Sequence, residues 1–140
     1  MTIAEVSPLE AAIAELGDDA TVAAITTRIR GVEPDAGDAL GAGSYQAFVV
    51  LTVIDAPYIG HTGIRDATIG IRAYAATWPD AEALYQACEA VFRDRPARKV
   101  SGVGVYHSQV VSGGIPDRDP DTQQPLYRGV IAYPTTTAAV

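Results

Sequence analysis

One long segment of this chain has the period of a helix, and most of the rest has the period of a strand. Along "DAEALYQACEAVFRD" (80–94), Ala81, Leu84, Tyr85, Cys88, Val91 and Phe92 fall on a single apolar stripe at helical spacing. Thr77 precedes it as the capping residue, with Pro79 in the first turn and Asp80 three positions after the cap. A helix with one apolar stripe buries one face only, so a sheet has to lie against it. Four alternating segments can supply that sheet: "YQAFVVLTVID" (45–55), "ATIGIRAYAAT" (67–77), "KVSGVGVYHSQVVS" (99–112) and "PLYRGVIAYP" (125–134). The first is apolar on both faces, which suits a central strand. The last two are expected to be antiparallel neighbours.

Two more elements precede these. Ser7-Pro8-Leu9-Glu10 carries a helix start, and Leu9, Ile13 and Leu16 share a face before Gly17 supplies a stop. "TVAAITTRIRG" (21–31) alternates Ala23, Ile25, Thr27 and Ile29 against Thr26, Arg28 and Arg30, the pattern of a half-exposed strand. The expected fold is therefore α+β: a single, mostly antiparallel sheet of about five strands. One main helix and the short N-terminal helix pack on one face. Leu84, Cys88, Val91 and Phe92 should cover Val49, Leu51, Ile69 and Ile71. Residues 1–134 form one domain, and "TTTAAV" (135–140) is expected to be a mobile tail.

Composition narrows the class. A hydrophobic fraction of 48% against 19% charged residues describes a soluble, folded domain and not a disordered chain. No apolar run approaches the roughly 20 residues of a membrane helix. The N-terminus has acids where a signal peptide has bases, so export is not expected. The one cysteine, Cys88, precludes an internal disulfide and suits a reducing compartment. Net charge is −7, and residues 1–38 hold eight acids against Arg28 and Arg30, leaving −1 for the remainder. Such a balance offers no basic patch for gripping phosphates.

The chemical inventory is thin. Asp117, Asp119 and Asp121 match the first three ligand positions of a calcium loop. Thr122 then replaces the glycine that the turn needs, and Arg128 replaces the bidentate acid. A solvated hairpin tip is the simpler reading, with no metal expected. His61 and His107 are the two imidazoles. His107 lies in a strand; His61 lies in a Gly-rich loop beside Arg65, without the further ligands that a metal set requires. Cys88 reads as a small buried hydrophobe. "GVG" (102–104) lacks the third glycine and the helix of a dinucleotide site. No catalytic residue, cofactor site or enzymatic activity is expected. What stands out instead is three connections, 31–44, 56–66 and 113–124, each longer than the usual four to six residues or so. Long polar arms without a catalytic set suit an assembly component.

The strand "ATIGIRAYAAT", the helix "WPDAEALYQACEAVFRD", the strand "KVSGVGVYHSQVVSGG" and the turn "PDRDPDTQQPLYRGVIAY" resemble the tail terminator proteins of long-tailed bacteriophages, also called minor tail or tail completion proteins. The resemblance spans about residues 45 to 134 and more loosely the N-terminal helix. It implies a virion protein, made in the host cytoplasm, at the head-proximal end of the tail. There a homo-oligomeric ring, usually a hexamer, caps the tail tube protein, stops its polymerisation and docks the head-completion or connector protein. DNA passes through the ring without specific binding, and no membrane is involved. The hairpin around Ile115, Asp117, Arg118, Asp119 and Asp121 would then be an arm contacting a neighbouring subunit or the tube, with His61 and Arg65 as further contacts. Other connector, adaptor and tube proteins share this style. A small ligand-binding domain or enzyme, its site assembled from His61, Arg65 and the Asp117–Asp121 loop, is the alternative of a different class.

The charge pattern has a direct consequence. Purified protein mixed with duplex DNA at physiological salt is expected to show no shift in fluorescence anisotropy. Tight binding that weakens steeply with salt would overturn the reading, because it requires several clustered cations.

Overall fold

The structure, a computed structural model of the chain, describes residues 7–31, 47–59, 63–120 and 122–139. Three helices and seven strands follow in the order α1 (Pro8–Asp18), α2 (Ala20–Ile25), β1 (Ile29–Gly31), β2 (Phe48–Asp55), β3 (Ile64–Tyr74), α3 (Trp78–Phe92), β4 (Arg98–Val100), β5 (Val103–Val105), β6 (Gln109–Arg118) and β7 (Pro125–Ala139). All seven strands form one sheet, ordered β1-β2-β3-β7-β5-β4, with β6 also paired to β7. The α+β class holds, but the sheet is larger than expected and mixed: β1 runs parallel to β2, and every other pair is antiparallel. The centre is the long β3–β7 ladder. The most apolar strand, β2, lies one position out, flanked by the three residues of β1.

The helices form where their caps say they should. The Ser7 hydroxyl accepts from the Glu10 amide at 3.1 Å, and the Thr77 hydroxyl from the Asp80 amide at 3.3 Å. All six residues of the α3 stripe are buried. Leu84, Cys88, Val91 and Phe92 share one core with Val49, Leu51, Ile69 and Ile71, joined by Leu16, Ile131 and Tyr133. Phe92 meets the Tyr133 ring edge-on at 5.4 Å. A second, smaller cluster of Phe48, Val50, Tyr74 and Leu126 sits on the other face of the sheet, where Phe48 and Tyr74 stack at 4.3 Å. The sheet is thus apolar on both sides at one end.

Four expectations fail in instructive ways. Of the strand expected over 21–31, only Ile29–Gly31 is strand, as β1, and its first five residues belong to helix α2. The Asp19 carboxylate accepts from both the Thr21 and Val22 amides at 3.0 Å, and that double cap outweighs a short alternation. Gly17 does not stop α1, which runs on to Asp18. The single strand expected over 99–112 is three strands, because Ser101 and Gly102 take φ of 51° and 80° and reverse the chain between Val100 and Val103. Residues 113–118, expected in a long loop, belong to β6, and β7 continues past Pro134 to Ala139. The connection over 32–44 lies outside the described residues.

A buried polar group ties these layers together. Glu15 of α1 accepts from Arg98 of β4 at 2.5 and 2.8 Å and from the Tyr133 hydroxyl of β7 at 2.9 Å, with the Arg95 guanidinium 3.4 Å away. Arg98 also donates to the Pro96 carbonyl and the Ser108 hydroxyl, and Ser108 in turn donates to the Phe92 carbonyl. Glu15→Ala leaves Arg98 without its carboxylate and should cost about 3–5 kcal/mol in a denaturant titration. Phe92→Ala should cost a similar amount, about 3–5 kcal/mol, through the cavity it opens. An unchanged unfolding midpoint in either variant would contradict this packing.

Candidate functional site

Strand alternation decides which side chains face away from the helices. Arg30, Val50, Arg72, Arg128 and Ile115 lie on one cross-strand row of β1, β2, β3, β7 and β6: Arg30 pairs Val50, Val50 pairs Arg72, Arg72 pairs Arg128, and Arg128 pairs Ile115. The row belongs to the face opposite α1 and α3, since its neighbours Leu51, Ile71 and Ile131 point into the helix-covered core. A groove of about 530 Å3 opens on this face, lined by Ile54, Gly70, Arg72, Ser112, Ile115 and Arg128 among others. Ile54 and Ile115 are 59% and 44% exposed, too much for ordinary core residues. Both charged residues lining the groove are arginines. Arg72 donates to the Tyr74 hydroxyl at 3.2 Å, and Arg128 has the Asp117 carboxylate 3.6 Å away.

The expected site residues do not converge. Ile115 alone lines the groove. Asp117 lies beside it in β6, at the flank of Arg128. Arg118 faces the helix layer, its guanidinium 5.0 Å from the Trp78 ring centre. Trp78 meets Tyr127 edge-on at 6.0 Å, and Tyr127 meets Tyr85 at 6.5 Å. That chain of rings holds the base of the hairpin against α3, so the expected projecting arm is mostly sheet. Its connection shrinks to Asp119–Gln124, folded on itself: Asp119 accepts from the Thr122 and Gln123 amides, and Arg118 donates to the Gln123 carbonyl at 2.8 Å. Gln124 is buried. Arg65 sits toward the far end of β7 opposite Thr135, on the order of 30 Å along the strand from Arg118 opposite Pro125. There it covers the Tyr58 ring and donates to the Ala56 carbonyl. His61 and Asp121 lie outside the described residues.

Among the described residues, His107, Glu15, Arg98 and Cys88 are each paired or buried. Among the described residues no three His, Cys, Asp or Glu side chains converge as a metal set. His107 bonds Asp94 at 2.6 Å in the open, next to the left-handed turn at Asp94. The polar hollow beside Glu15, Arg95 and Arg98 has the ion pair already described in its wall. Cys88 is fully buried, and burial first, with the Asp19 charge second, pushes its thiol up to about 12. Arg72 and Arg128 were the residues that sequence reasoning passed over. Their signal was present in "TIGIRAY" and "PLYRGVIAY", where each arginine occupies the phase opposite the core-facing isoleucine or tyrosine.

No family model and no curated protein matches this sequence. Among solved structures, the fold is similar to that of a chain in the virion of a native gene transfer agent particle. The TM-score is 0.60 at 18% identity, over 89% of this chain and 91% of that one. At that identity the likeness concerns the fold.

Thiol chemistry checks the core assignment. Iodoacetamide at neutral pH should leave native Cys88 unmodified and alkylate it only in denaturant, read by intact mass. Rapid labelling of the folded protein would place Cys88 at an accessible surface.

Proposed function

We propose that this chain is a structural protein of a phage-like virion and, within it, the tail terminator. In this reading it forms a homo-oligomeric ring, a hexamer, on the head-proximal end of the tail tube. The ring stops tube polymerisation and offers the docking face for the head connector, while DNA passes through its lumen. The observation that carries the reading is the fold correspondence with a virion chain over 89% of this chain and 91% of that one. Three features support it. Among the described residues, Glu15, Arg98, Tyr133, His107 and Asp94 are held in bonds within the domain. The surplus of acids suits a passage that must not hold DNA. An exposed, partly apolar groove suits contact with protein. The chain acts without catalysis. A neighbouring connector, adaptor or tube protein is the second reading of the same class.

The distinguishing experiment mixes purified protein with purified tail tube protein under polymerising conditions, followed by negative-stain microscopy and sedimentation. The terminator reading expects a ring that caps tube ends and halts elongation at substoichiometric ratios. Tubes that grow undisturbed would reject it, and incorporation along the tube wall would favour a tube protein instead.

A further inference from the structure

We infer that the open face of the sheet, where β2 turns into β3, docks a cationic segment of another protein, one that carries lysine or arginine among apolar side chains. The inference goes beyond the ring proposed above and holds for any structural protein of such a particle. Asp55 pairs with Thr68 across the β2–β3 ladder, and Asp66 lies two residues along β3 from Thr68. Alternation puts both acids on the face away from the helices, because Ile69 and Ile71 of β3 point into the helix-covered core. The two positions are diagonal neighbours, about 7–8 Å apart. Both residues are exposed, and among the described residues nothing bonds or pairs with either carboxylate.

Apolar side chains flank the two acids on both sides. Ile54, 59% exposed, packs against Gly70 and lines the groove that runs on to Ile115. On the other side Tyr58 and Ile59, 56% and 47% exposed, follow in the β2–β3 connection. That connection is held in place, since the Ile59 amide donates to the Ile64 carbonyl at 2.9 Å and the Asp66 amide to the Pro57 carbonyl at 2.8 Å. The surface thus offers apolar area and negative charge together on a fixed frame. Charge decides the occupant. Through their side chains, seven of the nine arginines already hold carboxylates, carbonyls or a hydroxyl of their own chain. Arg28 and Arg30 are not free either. A second copy would bring little but Lys99, on the three-residue edge strand β4, to answer the two aspartates. It would also bring the same pair of acids, which repel. The complementary cations therefore belong to a different, basic partner.

The test is fluorescence anisotropy at physiological salt with a labelled peptide that alternates lysine and valine. The peptide should bind the parent. Asp55→Asn together with Asp66→Asn should weaken binding roughly fivefold or more. Ile54→Ser should weaken it as well, and so should serine in place of valine in the peptide. Glu10→Gln together with Asp18→Asn removes the same charge from exposed positions of α1 and should leave binding unchanged. Circular dichroism confirms that every variant is folded. A peptide that fails to bind the parent overturns the proposal. So does an equal loss in the α1 variant, which would mean diffuse attraction to an acidic chain, or equal binding of a peptide with glutamate in place of lysine. Sedimentation velocity of the parent covers the remaining occupant: self-association that Asp55→Asn and Asp66→Asn abolish would put a second copy on this face and overturn the proposal. The contact stands or falls by binding, whatever the tube-capping experiment gives.

Discussion

The ion pair between Glu15 and Arg98 holds together parts of the chain that have few other reasons to meet. The two residues are 83 positions apart, and nearly all of the glutamate side chain is out of water. Taking a carboxylate out of water costs several kcal/mol, and a single partner rarely compensates for that. Glu15 has a bidentate guanidinium, a phenol donor and a second arginine nearby. Burial first, and the Glu15 charge second, hold the Tyr133 phenol well above its ordinary range, so it stays protonated and remains a donor. Because Arg98 simultaneously holds the Pro96 carbonyl, the pair fixes the path from α3 into β4 as well as the seat of α1 on β7. A buried pair of this kind selects one arrangement of helices over others more than it adds net stability.

The second constraint is the approach of α3 to the sheet, and it explains two glycines. A side-chain carbon on Gly129 would lie 2.0 Å from the Tyr85 hydroxyl, and on Gly113 it would come closer still. Tyr85 therefore reaches through the helix layer onto bare backbone of β7 and β6. That contact places Trp78, one helical stretch earlier, against Tyr127 and under Arg118. The polar hairpin is thus fastened from the helix side, which leaves its opposite face, with Ile115 and Arg128, open to form the groove.

Legibility in the sequence followed the range of the forces involved. The α3 stripe, the Ser7 and Thr77 caps and the alternation of β2, β3 and β7 are local patterns, and the structure keeps them. The stretch 21–25 looks like part of a strand because the alternation of 23–30 runs into it, while the signal that decides it, Asp19 as cap, lies before the pattern begins. The reversal at Ser101-Gly102 was legible, since a Ser-Gly pair between valines is a turn signal, but "KVSGVGV" also reads as one continuous strand. In β6, Gly113, Gly114 and Pro116 suggest a loop. The strand absorbs them through irregular pairing between Val110 and Ile115 and the φ of 75° at Gly114. Past Pro134, Thr135 and Thr136 are β-branched residues that pair with β3, a match no local pattern reveals. The arginine groove was hidden for the same reason: each arginine is an ordinary outward residue until cross-strand register lines them up.

That groove also bears on how such a domain can associate. β6 is a long, exposed edge, and an exposed edge invites addition of a further strand. Pro116 has no amide to donate, and the irregular stretch between Val110 and Ile115 breaks the spacing that a continuous added strand would need. These devices guard the edge against uncontrolled pairing. On a sheet face, unlike an edge, specificity comes from where charges and apolar side chains lie and not from backbone bonds, which any chain can offer. Among the described residues, Glu15, Arg98, Tyr133 and Cys88 are engaged in the packing of the domain itself, so the face of the sheet with Ile54, Ile115 and Arg128 is the surface left open to a partner.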